Sequence, residues 1–414
     1  MLNRYLFTFV TFGFKCVRFY NCKDGQLYNS LFLQYKIIIA MNHSLTHHEQ
    51  YLEKQLHGRY IHMNHIEKIL KNLPDTFTVS IAGRSVKDQP IYTLKAGNGP
   101  IKVLMWSQMH GNESTTTKAV FDLLKLLQDA DNHFGQWLME KCTVLIMPML
   151  NPDGSEAYTR VNANNIDLNR DAQNLSQPES KVLRTVFNEF EPDYCFNLHD
   201  QRTIFSAGSV KKPATVSFLS PSEDINRSVT ETRKKSMEVI VAMNKVLQGY
   251  IPGQIGRYDD GFNLNCVGDT FQSLGVPTIL FESGHFPDDY LREETRKYIF
   301  IAICTALEYI AEDKVTGNAD LLYAEIPEND KCFLDIIVRK TNENGEREDV
   351  GILFKETLIQ DKLHLLPTIE KTGDLKEFYG HIELQNAVNS TKSFEIKGFG
   401  RVDITEILKN RQNS

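Results

Sequence analysis

The sequence predicts an α/β fold followed by a smaller β-rich region. Two observations support this prediction: apolar runs of strand length, such as 101–106 and 142–147, alternate with segments of helical periodicity, and the composition changes after about Ala319 to short alternating segments separated by Asn- and Gly-rich turns. Strand and helix alternation is typical of a sheet flanked by helices. We therefore predict a large α/β domain over 41–315 and a β-rich domain over 316–414, with 1–40 as an uncertain leader.

Each element of the α/β domain is predicted from its hydrophobic pattern. The first part of the chain, 47–73, has the apolar spacing of a helix, and the short apolar runs that follow are bounded by turn residues, as strands are. Longer segments in which apolar residues recur every three or four positions predict helices. The strands are 76–81, 90–95, 101–106, 142–147, 193–198 and 277–281, and the helices are 47–73, 115–129, 177–190, 223–247 and 290–311.

The tail contains three strand-like segments, 333–338, 351–354 and 394–396. Their short length and Asn/Gly-rich separators favour a small β-rich unit over a continuation of the strand and helix alternation. No internal repeat is evident. The tail is therefore predicted to be a separate β-rich domain.

Composition narrows the class of protein. The 414 residues are 41% hydrophobic and 24% charged, with a formal net charge of −7. These values are typical of a globular protein and give no concentrated positive charge for nucleic acid or an anionic membrane. Seven scattered cysteines without a CxxC pair predict reduced core residues in a reducing compartment, so we expect a cytoplasmic protein.

The first forty residues have two interpretations. Arg4 followed by an apolar stretch to Phe14 imitates a secretory signal, but Lys15 and Arg18 follow at once and no small-x-small cleavage site appears. The sequence becomes polar and helix-like from Met41. We expect either an extraneous leader before a start at Met41 or a degenerate signal or anchor; no later apolar run is long enough to span a membrane.

Three side chains form a candidate metal site. His110 and Glu113 lie three residues apart in the turn after the 101–106 strand, and His199 follows the 193–198 strand. Carboxyl ends of strands border the binding crevice of an open α/β sheet, so these side chains can converge. An isolated His-x-x-Glu is a weak motif, but two imidazoles and one carboxylate together suit one Zn²⁺ ion and leave a coordination position for water.

Further polar groups follow the neighbouring strands. Arg170 beside Asn169 offers a planar donor fork and an amide, which suit a substrate carboxylate. Arg160 can stabilise a developing oxyanion, and Asp167 can accept the second ring N–H of a ligand histidine. Taken alone, either arginine could equally form a surface ion pair.

Glu282 follows the 277–281 strand and is the candidate general base. A carboxylate that emerges from an apolar strand at the edge of the candidate metal site can take a proton from water and pass it to a leaving amine. The alternative for Glu282 is a strand-end residue that caps the next loop. His285 lies in the same turn and is interpreted as a loop histidine.

Together these motifs resemble the zinc carboxypeptidase family, in matching order, over roughly 81–311. They are His110-Gly-Asn-Glu113, Asn151-Pro-Asp-Gly154, Arg160, Asp167-Leu-Asn-Arg170, Asn197-Leu-His199 and Phe281-Glu282. The resemblance implies a mixed, mostly parallel eight-stranded sheet flanked by helices, with the metal, base and substrate roles given above. It also implies a tyrosine on a loop ahead of the base, for which Tyr258 is the best candidate.

The resemblance leaves three functions to compare. The first is a metallocarboxypeptidase that releases a C-terminal amino acid from a peptide. The second is an N-acyl amino acid deacylase of the related desuccinylase and aspartoacylase type, although Asn151-Pro-Asp-Gly154 favours the peptidase. The third is a catalytically silent binding protein with the same fold. The expected partner is a peptide or N-acyl amino acid, and the sequence does not indicate an oligomeric state.

Overall fold

The computed structural model describes residues 48–341, 345–385, 393–406 and 408. In chain order the helices are α1 (His48–Tyr51), α2 (Met63–Leu70), α3 (Thr115–Gln128), α4 (His133–Lys141), α5 (Pro152–Ala157), α6 (Pro178–Phe190), α7 (Glu231–Leu247), α8 (Val267–Ser273), α9 (Glu293–Ala311) and α10 (Asp320–Ala324), with a 3-10 turn at Leu168–Arg170. The strands are β1 (Phe77–Arg84), β2 (Pro90–Ala96), β3 (Ile101–Ser107), β4 (Cys142–Met147), β5 (Tyr194–Asp200), β6 (Ser206–Ala207), β7 (Val216–Leu219), β8 (Ile255–Arg257), β9 (Thr278–Ser283), β10 (Asn329–Asp330), β11 (Phe333–Arg339), β12 (Asp349–Ile359), β13 (Lys362–Gly373), β14 (Tyr379–Gln385), β15 (Ser393–Ile396) and β16 (Gly400–Asp403).

The main sheet has eight strands in the order β1-β2-β4-β3-β5-β9-β7-β8. Neighbours β4-β3, β3-β5, β5-β9 and β7-β8 are parallel, and the other three pairs are antiparallel. The predicted fold class, a mixed and mostly parallel sheet with a β-rich C-terminal region, is confirmed. Because β3, β5 and β9 are adjacent and parallel, their carboxyl ends meet at one edge of the sheet.

The central strands are buried on both faces. Val103 and Met105 of β3 pack into the larger hydrophobic core, whereas Leu104 and Trp106 pack into the smaller one. Successive side chains of a strand point to opposite faces, so a continuous apolar run is what a strand covered on both sides requires. In the smaller core the Trp106 ring meets the edge of Phe271 with 5.3 Å between the ring centroids. The strand β3, which leads to the candidate metal site, is therefore held by packing on both of its faces.

The predicted helix over 47–73 is wrong in its middle part. The structure has α1 and α2 with an irregular segment between them. The backbone there is held by distant charged side chains: Arg296 donates to the carbonyl oxygens of Leu56 and Glu53, and the N–H of Gly58 donates to Glu293. Such tertiary hydrogen bonds replace those that a helix would make, and apolar periodicity does not reveal them.

Other predicted bounds also shift. The helix predicted from residue 223 begins at Glu231, where Thr230 caps it by accepting from the N–H of Arg233. The motif Asn151-Pro-Asp-Gly154 forms the cap and first turn of α5, with Asn151 accepting from the N–H of Gly154 at 2.8 Å. The short strands β7 and β8 were not predicted, because three or four residues give little periodicity.

The C-terminal region contains a four-stranded sheet in the order β13-β12-β11-β14 and the two-stranded sheet β15-β16, and its apolar core includes Tyr290 of the α/β part. It packs on the α/β part through buried polar contacts: Tyr290 donates to Asp335 at 3.0 Å, and His381 Nε2 lies 2.8 Å from the carbonyl oxygen of Thr203. The boundary between 315 and 316 stays a prediction.

Several sequence expectations concern residues outside the described part. The leader, a start at Met41 and the cysteines Cys16 and Cys22 lie there. The five cysteines within it are free thiols, and all but Cys266 are buried. Among the described helices, none combines the length and apolar character needed to cross a bilayer. The cytoplasmic location stays a prediction.

Candidate metal centre and active site

The turn between β3 and α3 carries two of the predicted ligands. Gln108 adopts a left-handed backbone with φ 48°, and its amide donates to the carbonyl oxygens of Ile61 and Gly111, both at 2.8 Å. A side chain at Gly111 would meet the backbone of Gly154 at 1.9 Å, so only glycine fits. This tight packing fixes the direction in which His110 and Glu113 leave the turn.

The three predicted ligands meet in the structure. His199 Nδ1 lies 3.1 Å from His110 Nδ1 and 2.9 Å from Glu113 Oε2, and His110 Nδ1 lies 2.8 Å from Glu113 Oε1. All three residues are buried, and among the described residues this is the cluster that could hold a metal ion.

The donor set fits a divalent cation. Ligand atoms about 2.0–2.1 Å from a tetrahedral zinc lie about 3.3 Å from one another, close to the separations found here. Imidazole nitrogens and a carboxylate that face one another without positive charge between them repel, whereas a cation at their centre is attracted by all of them. His199 Nε2 is buried and has no hydrogen-bond partner among the described residues.

Asp167 lies beside His110, the first candidate ligand histidine. Its Oδ1 lies 3.0 Å from His110 Nε2 and also accepts from the N–H of Asn169 at 2.9 Å. With the ring proton on Nε2, the Nδ1 lone pair of His110 faces Glu113 and His199. A carboxylate behind a ligand histidine selects the tautomer and makes the imidazole a better ligand.

The charges of the cluster act on one another. Burial lowers the pKa of His110, but the charge of Glu113 and the hydrogen bond with Asp167 outweigh it, so the pKa is raised. Burial raises the pKa of Glu113, but the two histidines outweigh that effect and hold it far below its usual range. Burial lowers the pKa of His199. Within the cluster Glu113 is thus favoured as the anion, and His110 binds a proton more tightly than His199 does.

Arg160 lies at the mouth of this cluster. Its Nη1 is 3.2 Å from His110 Nδ1 and 3.4 Å from Glu113 Oε1, and its Nε donates to Asp167 Oδ2 at 3.0 Å. The side chain is 48% exposed, so one face remains open to a ligand. The structure therefore places Arg160 beside the candidate metal ligands.

Glu282 stands next to His199 in the sheet. The two residues are register partners on the parallel strands β5 and β9. Its Oε2 is buried without a hydrogen-bond partner among the described residues. Burial, and then the negative charges of Glu113 and Asp200, raise the pKa of Glu282 well above its usual value. A carboxylate with one buried, unpaired oxygen and a raised pKa is typical of a functional group.

The predicted carboxylate clamp lies on the side of Asp167. The Asn169 side-chain oxygen accepts from the N–H of Val267 at 2.9 Å, which leaves its amide NH₂ as a donor. Arg170 is exposed, and its Nη1 donates to the carbonyl oxygen of Asn169 at 2.6 Å and lies 3.1 Å from Cys266 Sγ. Within the described part of the chain Arg170 makes no ion pair. Its positive charge is therefore available to an anionic ligand.

Tyr258 directly follows β8, the last strand at one side of the main sheet. Its ring packs against Phe205 with 5.2 Å between centroids, and its N–H donates to the carbonyl oxygen of Phe218 at 3.0 Å. Burial and then the charges of Glu282 and Glu113 raise the pKa of Tyr258. The electrostatic influence of these two candidate site carboxylates thus extends to the phenol.

Sequence reasoning did not identify three charged residues around the cluster. The N–H of Asp200 donates to Glu113 Oε2 at 3.1 Å, and its carboxylate accepts from Thr115. Arg59 and Arg292 are buried nearby, and their pKa values respond to the charge of Asp200. The position of Asp200 directly after His199 was a usable signal. No local pattern marks the two arginines.

The mixed eight-stranded sheet, with two histidines and a carboxylate brought together near the ends of β3 and β5, agrees with the resemblance to zinc carboxypeptidases. The sequence comparison agrees: the family model described as zinc carboxypeptidase matches residues 62–205. The resemblance to that family is confirmed, and it is carried by this part of the chain.

Relatives with this resemblance occur in fungi and plants. The chain is 32% identical over 114 residues to carboxypeptidase 2 of Trichophyton rubrum, a match that covers 27% of this chain and 20% of the relative. It is 29% identical over 135 residues to carboxypeptidase SOL1 of Arabidopsis thaliana, with 28% of each chain covered. The chain thus matches less than a third of the length of either relative.

A solved structure supports the fold. A Shewanella denitrificans OS-217 protein provisionally named carboxypeptidase A superposes with a TM-score of 0.51 at 18% identity, covering 60% of this chain and 69% of that one. At this identity the likeness concerns the fold alone.

Proposed function

We propose that this protein is a zinc-dependent metallocarboxypeptidase, which hydrolyses the peptide bond next to a free C-terminal carboxylate. The observation that carries the proposal is the convergence of His110, Glu113 and His199 at the ends of adjacent strands. Those three residues would hold one zinc ion, which when bound would polarise the scissile carbonyl and acidify the attacking water. The names of the relatives support a peptidase.

Glu282 is the proposed general base. It takes the proton from the attacking water at Oε2, the oxygen that has no partner within the described part of the chain, and then passes that proton to the leaving amine. A base must be ionised to act. Neutralising the charge of Glu113 would remove one of the causes that raise the pKa of Glu282, so metal binding and base function are coupled in this site.

Arg160 and the Asn169–Arg170 pair are proposed to bind two different parts of the substrate. Arg160 would donate to the oxygen on which negative charge develops, since its guanidinium borders His110 and Glu113. Arg170 and the amide of Asn169 would bind the terminal carboxylate of the substrate, and a planar guanidinium can do so in two places. Tyr258 would close over the substrate from the side of Glu282.

The competing function is an N-acyl amino acid deacylase, which presents the same free carboxylate to Arg170. The two functions differ in the group on the other side of the scissile amide, which is a peptide in one case and a simple acyl group in the other. The assay therefore compares N-blocked dipeptides and tripeptides with N-acetyl and N-succinyl amino acids.

Purified protein with a measured zinc content should cleave the peptides faster than the N-acyl amino acids. It should leave the C-terminally amidated peptides intact. Glu282→Gln is the matched control, since it retains the shape of the side chain and removes the base. Preferential release of acetate or succinate would support the deacylase. No hydrolysis of either series by zinc-loaded protein would reject both enzymatic functions.

A further inference from the structure

We propose that Glu356, a residue of the β-rich C-terminal region, is a positioning residue of the active site, and that this region is therefore part of the working enzyme. The inference rests on the proposed function. It concerns a side chain on β12 that contacts two segments adjacent to the candidate site residues.

Glu356 binds two side chains of the α/β part. Its two carboxylate oxygens accept from Nη1 and Nη2 of Arg59 at 2.9 and 3.1 Å, and Oε2 also accepts from the hydroxyl of Tyr158. The side chains of Arg59 and Glu356 are 6% and 25% exposed. A two-point guanidinium and carboxylate pair of this kind has a defined geometry, and losing one partner leaves a buried charge unpaired.

The first contact leads to the metal ligand Glu113. The carbonyl oxygen of Arg59 accepts from Ser114 Oγ at 2.6 Å, and Ser114 is fully buried directly after Glu113. The backbone of Arg59 therefore holds Ser114, the residue directly before α3, and Glu356 holds the guanidinium of Arg59. Loss of Glu356 would free the Arg59 side chain and loosen the segment that packs against the start of α3.

The second contact leads to Arg160. Tyr158 ends α5 in a left-handed conformation with φ 53°, which is unfavourable for a residue with a bulky side chain. It lies two residues before Arg160, and the N–H of Thr159 donates to the carbonyl oxygen of Gly154 at 2.8 Å. The bond from the Tyr158 hydroxyl to Glu356 helps to hold this strained backbone. Without it, the segment that aims Arg160 could relax.

The β-rich region also holds the segments that follow His199 and Glu282. Phe333 donates its N–H to the carbonyl oxygen of Ile204 at 3.0 Å, next to the contact between His381 and Thr203. Tyr290, eight residues after Glu282, donates to Asp335. The segments next to Glu113, Arg160, His199 and Glu282 are thus all tied to one sheet that carries none of the proposed catalytic groups.

Glu356 makes no hydrogen bond to either residue of the carboxylate clamp. Its partners are Arg59 and Tyr158, whereas Asn169 and Arg170 are held by contacts with Val267 and Cys266. Loss of Glu356 should therefore disturb the transition-state contact of Arg160 and leave binding of the terminal carboxylate intact.

The test is Glu356→Gln in the full chain, with rates normalised to bound zinc. We expect kcat to fall by about 10- to 100-fold, because small misplacements of a transition-state contact have effects of this size. KM should change by less than about threefold, since ground-state binding is retained. A phosphonate peptide that mimics the tetrahedral oxyanion should bind more weakly by the same factor as kcat, whereas a free amino acid inhibitor should bind as before.

Two further variants separate positioning from folding. Asp349→Asn is the matched control, because Asp349 is a buried acid of the same sheet that pairs with Arg339 and does not reach the site; it should lower the melting temperature and leave kcat per zinc unchanged. Tyr158→Phe removes only the hydroxyl that donates to Glu356 and should give a smaller loss in the same direction, which keeps the test informative if Glu356→Gln does not fold.

A double variant completes the test. Arg160→Ala with Glu356→Gln should lose less activity than the two separate losses combined, since part of the effect of Glu356 passes through Arg160. Additive losses, or an unchanged kcat in Glu356→Gln and Tyr158→Phe, would overturn the positioning role. An equal loss of kcat in Asp349→Asn would show that Glu356 acts only by stabilising the β-rich region. If the parent protein hydrolyses no peptide, the proposed function fails and this role fails with it, an outcome distinct from the others.

Discussion

The Nδ1 atoms of His110 and His199 lie 3.1 Å apart although 89 residues separate them in the chain. The first stands in the turn after β3 and the second at the end of β5, and these two strands are parallel neighbours. Their approach is thus a property of the sheet. Two imidazole lone pairs held this close are unfavourable unless a proton or a metal ion lies between them.

The ligand set predicts how zinc binding responds to substitution. Removing a ligand with His199→Ala should abolish stoichiometric zinc binding. Asp167→Asn removes the group behind His110 and should weaken zinc affinity by about 10- to 100-fold without abolishing it. Competition with a chromophoric chelator measures both. Full zinc affinity in His199→Ala would contradict the proposed metal site.

Zinc affinity should rise with pH. The pKa of His110 is raised in the metal-free protein, so that imidazole stays protonated to a higher pH than usual and zinc must displace its proton. Affinity should therefore increase as pH rises through the raised pKa of His110 and become constant above it. Titrations between about pH 6 and 8.5 test this, since histidine ordinarily titrates near 6.5. A flat profile would show that no proton competes with the metal.

The proposed role of Glu282 as general base predicts that its substitution lowers turnover without loss of zinc. Glu282→Gln should retain zinc and lower kcat by about 10²- to 10⁴-fold, the usual contribution of a positioned general base. Steady-state kinetics with metal analysis of the same sample provide the measurement. Turnover that stays within a few-fold of the parent would remove Glu282 from the mechanism.

The clamp predicts selectivity for a free carboxyl end. Arg170→Ala should raise KM far more than it lowers kcat and should reduce the preference for free over amidated peptides. Arg84→Ala is the control, because Arg84 is an exposed arginine of β1 paired with Asp88. If the parent enzyme cleaves amidated and free peptides equally, the clamp assignment is wrong.

Asp335 predicts a pH dependence of stability. Burial raises its pKa to about 6 from 3.8, so the folded state binds the proton more tightly than the unfolded state. The ionised form therefore destabilises the fold above about pH 6, and this penalty disappears as pH falls toward 4, for a total of about 3 kcal/mol. Denaturant unfolding of the parent and Asp335→Asn across this range should give curves that diverge as pH rises. Parallel curves would contradict the prediction.

The strands and the ligand turns could be predicted from the sequence because their signals are local. A run such as that of β3 is apolar throughout because both faces are covered, and a polar cluster directly after such a run marks the edge of the sheet. His110, Glu113 and His199 could thus be selected before their contacts were known. The family resemblance supplied Tyr258, for which the sequence pattern was weak.

The contacts around Arg59 could not be predicted in this way. Arg59 lies in a segment that was predicted to be helical, and its partner Glu356 is 297 residues further along the chain. Charged residues at such separations carry no periodicity that would pair them. The same holds for Arg296, whose hydrogen bonds to Glu53 and Leu56 replace the predicted helix.

Because of the register between β5 and β9, an insertion or deletion of one residue within either strand would disrupt the site. His199 and Glu282 are partners in a hydrogen-bonded ladder, and the side-chain alternation along a strand has a period of two. Deleting one residue inside β9 would turn Glu282 to the opposite side of the sheet, where the packed interior has no place for an ionised carboxylate. Insertions and deletions should therefore be confined to the connecting loops, and divergence of substrate preference among relatives should be found there.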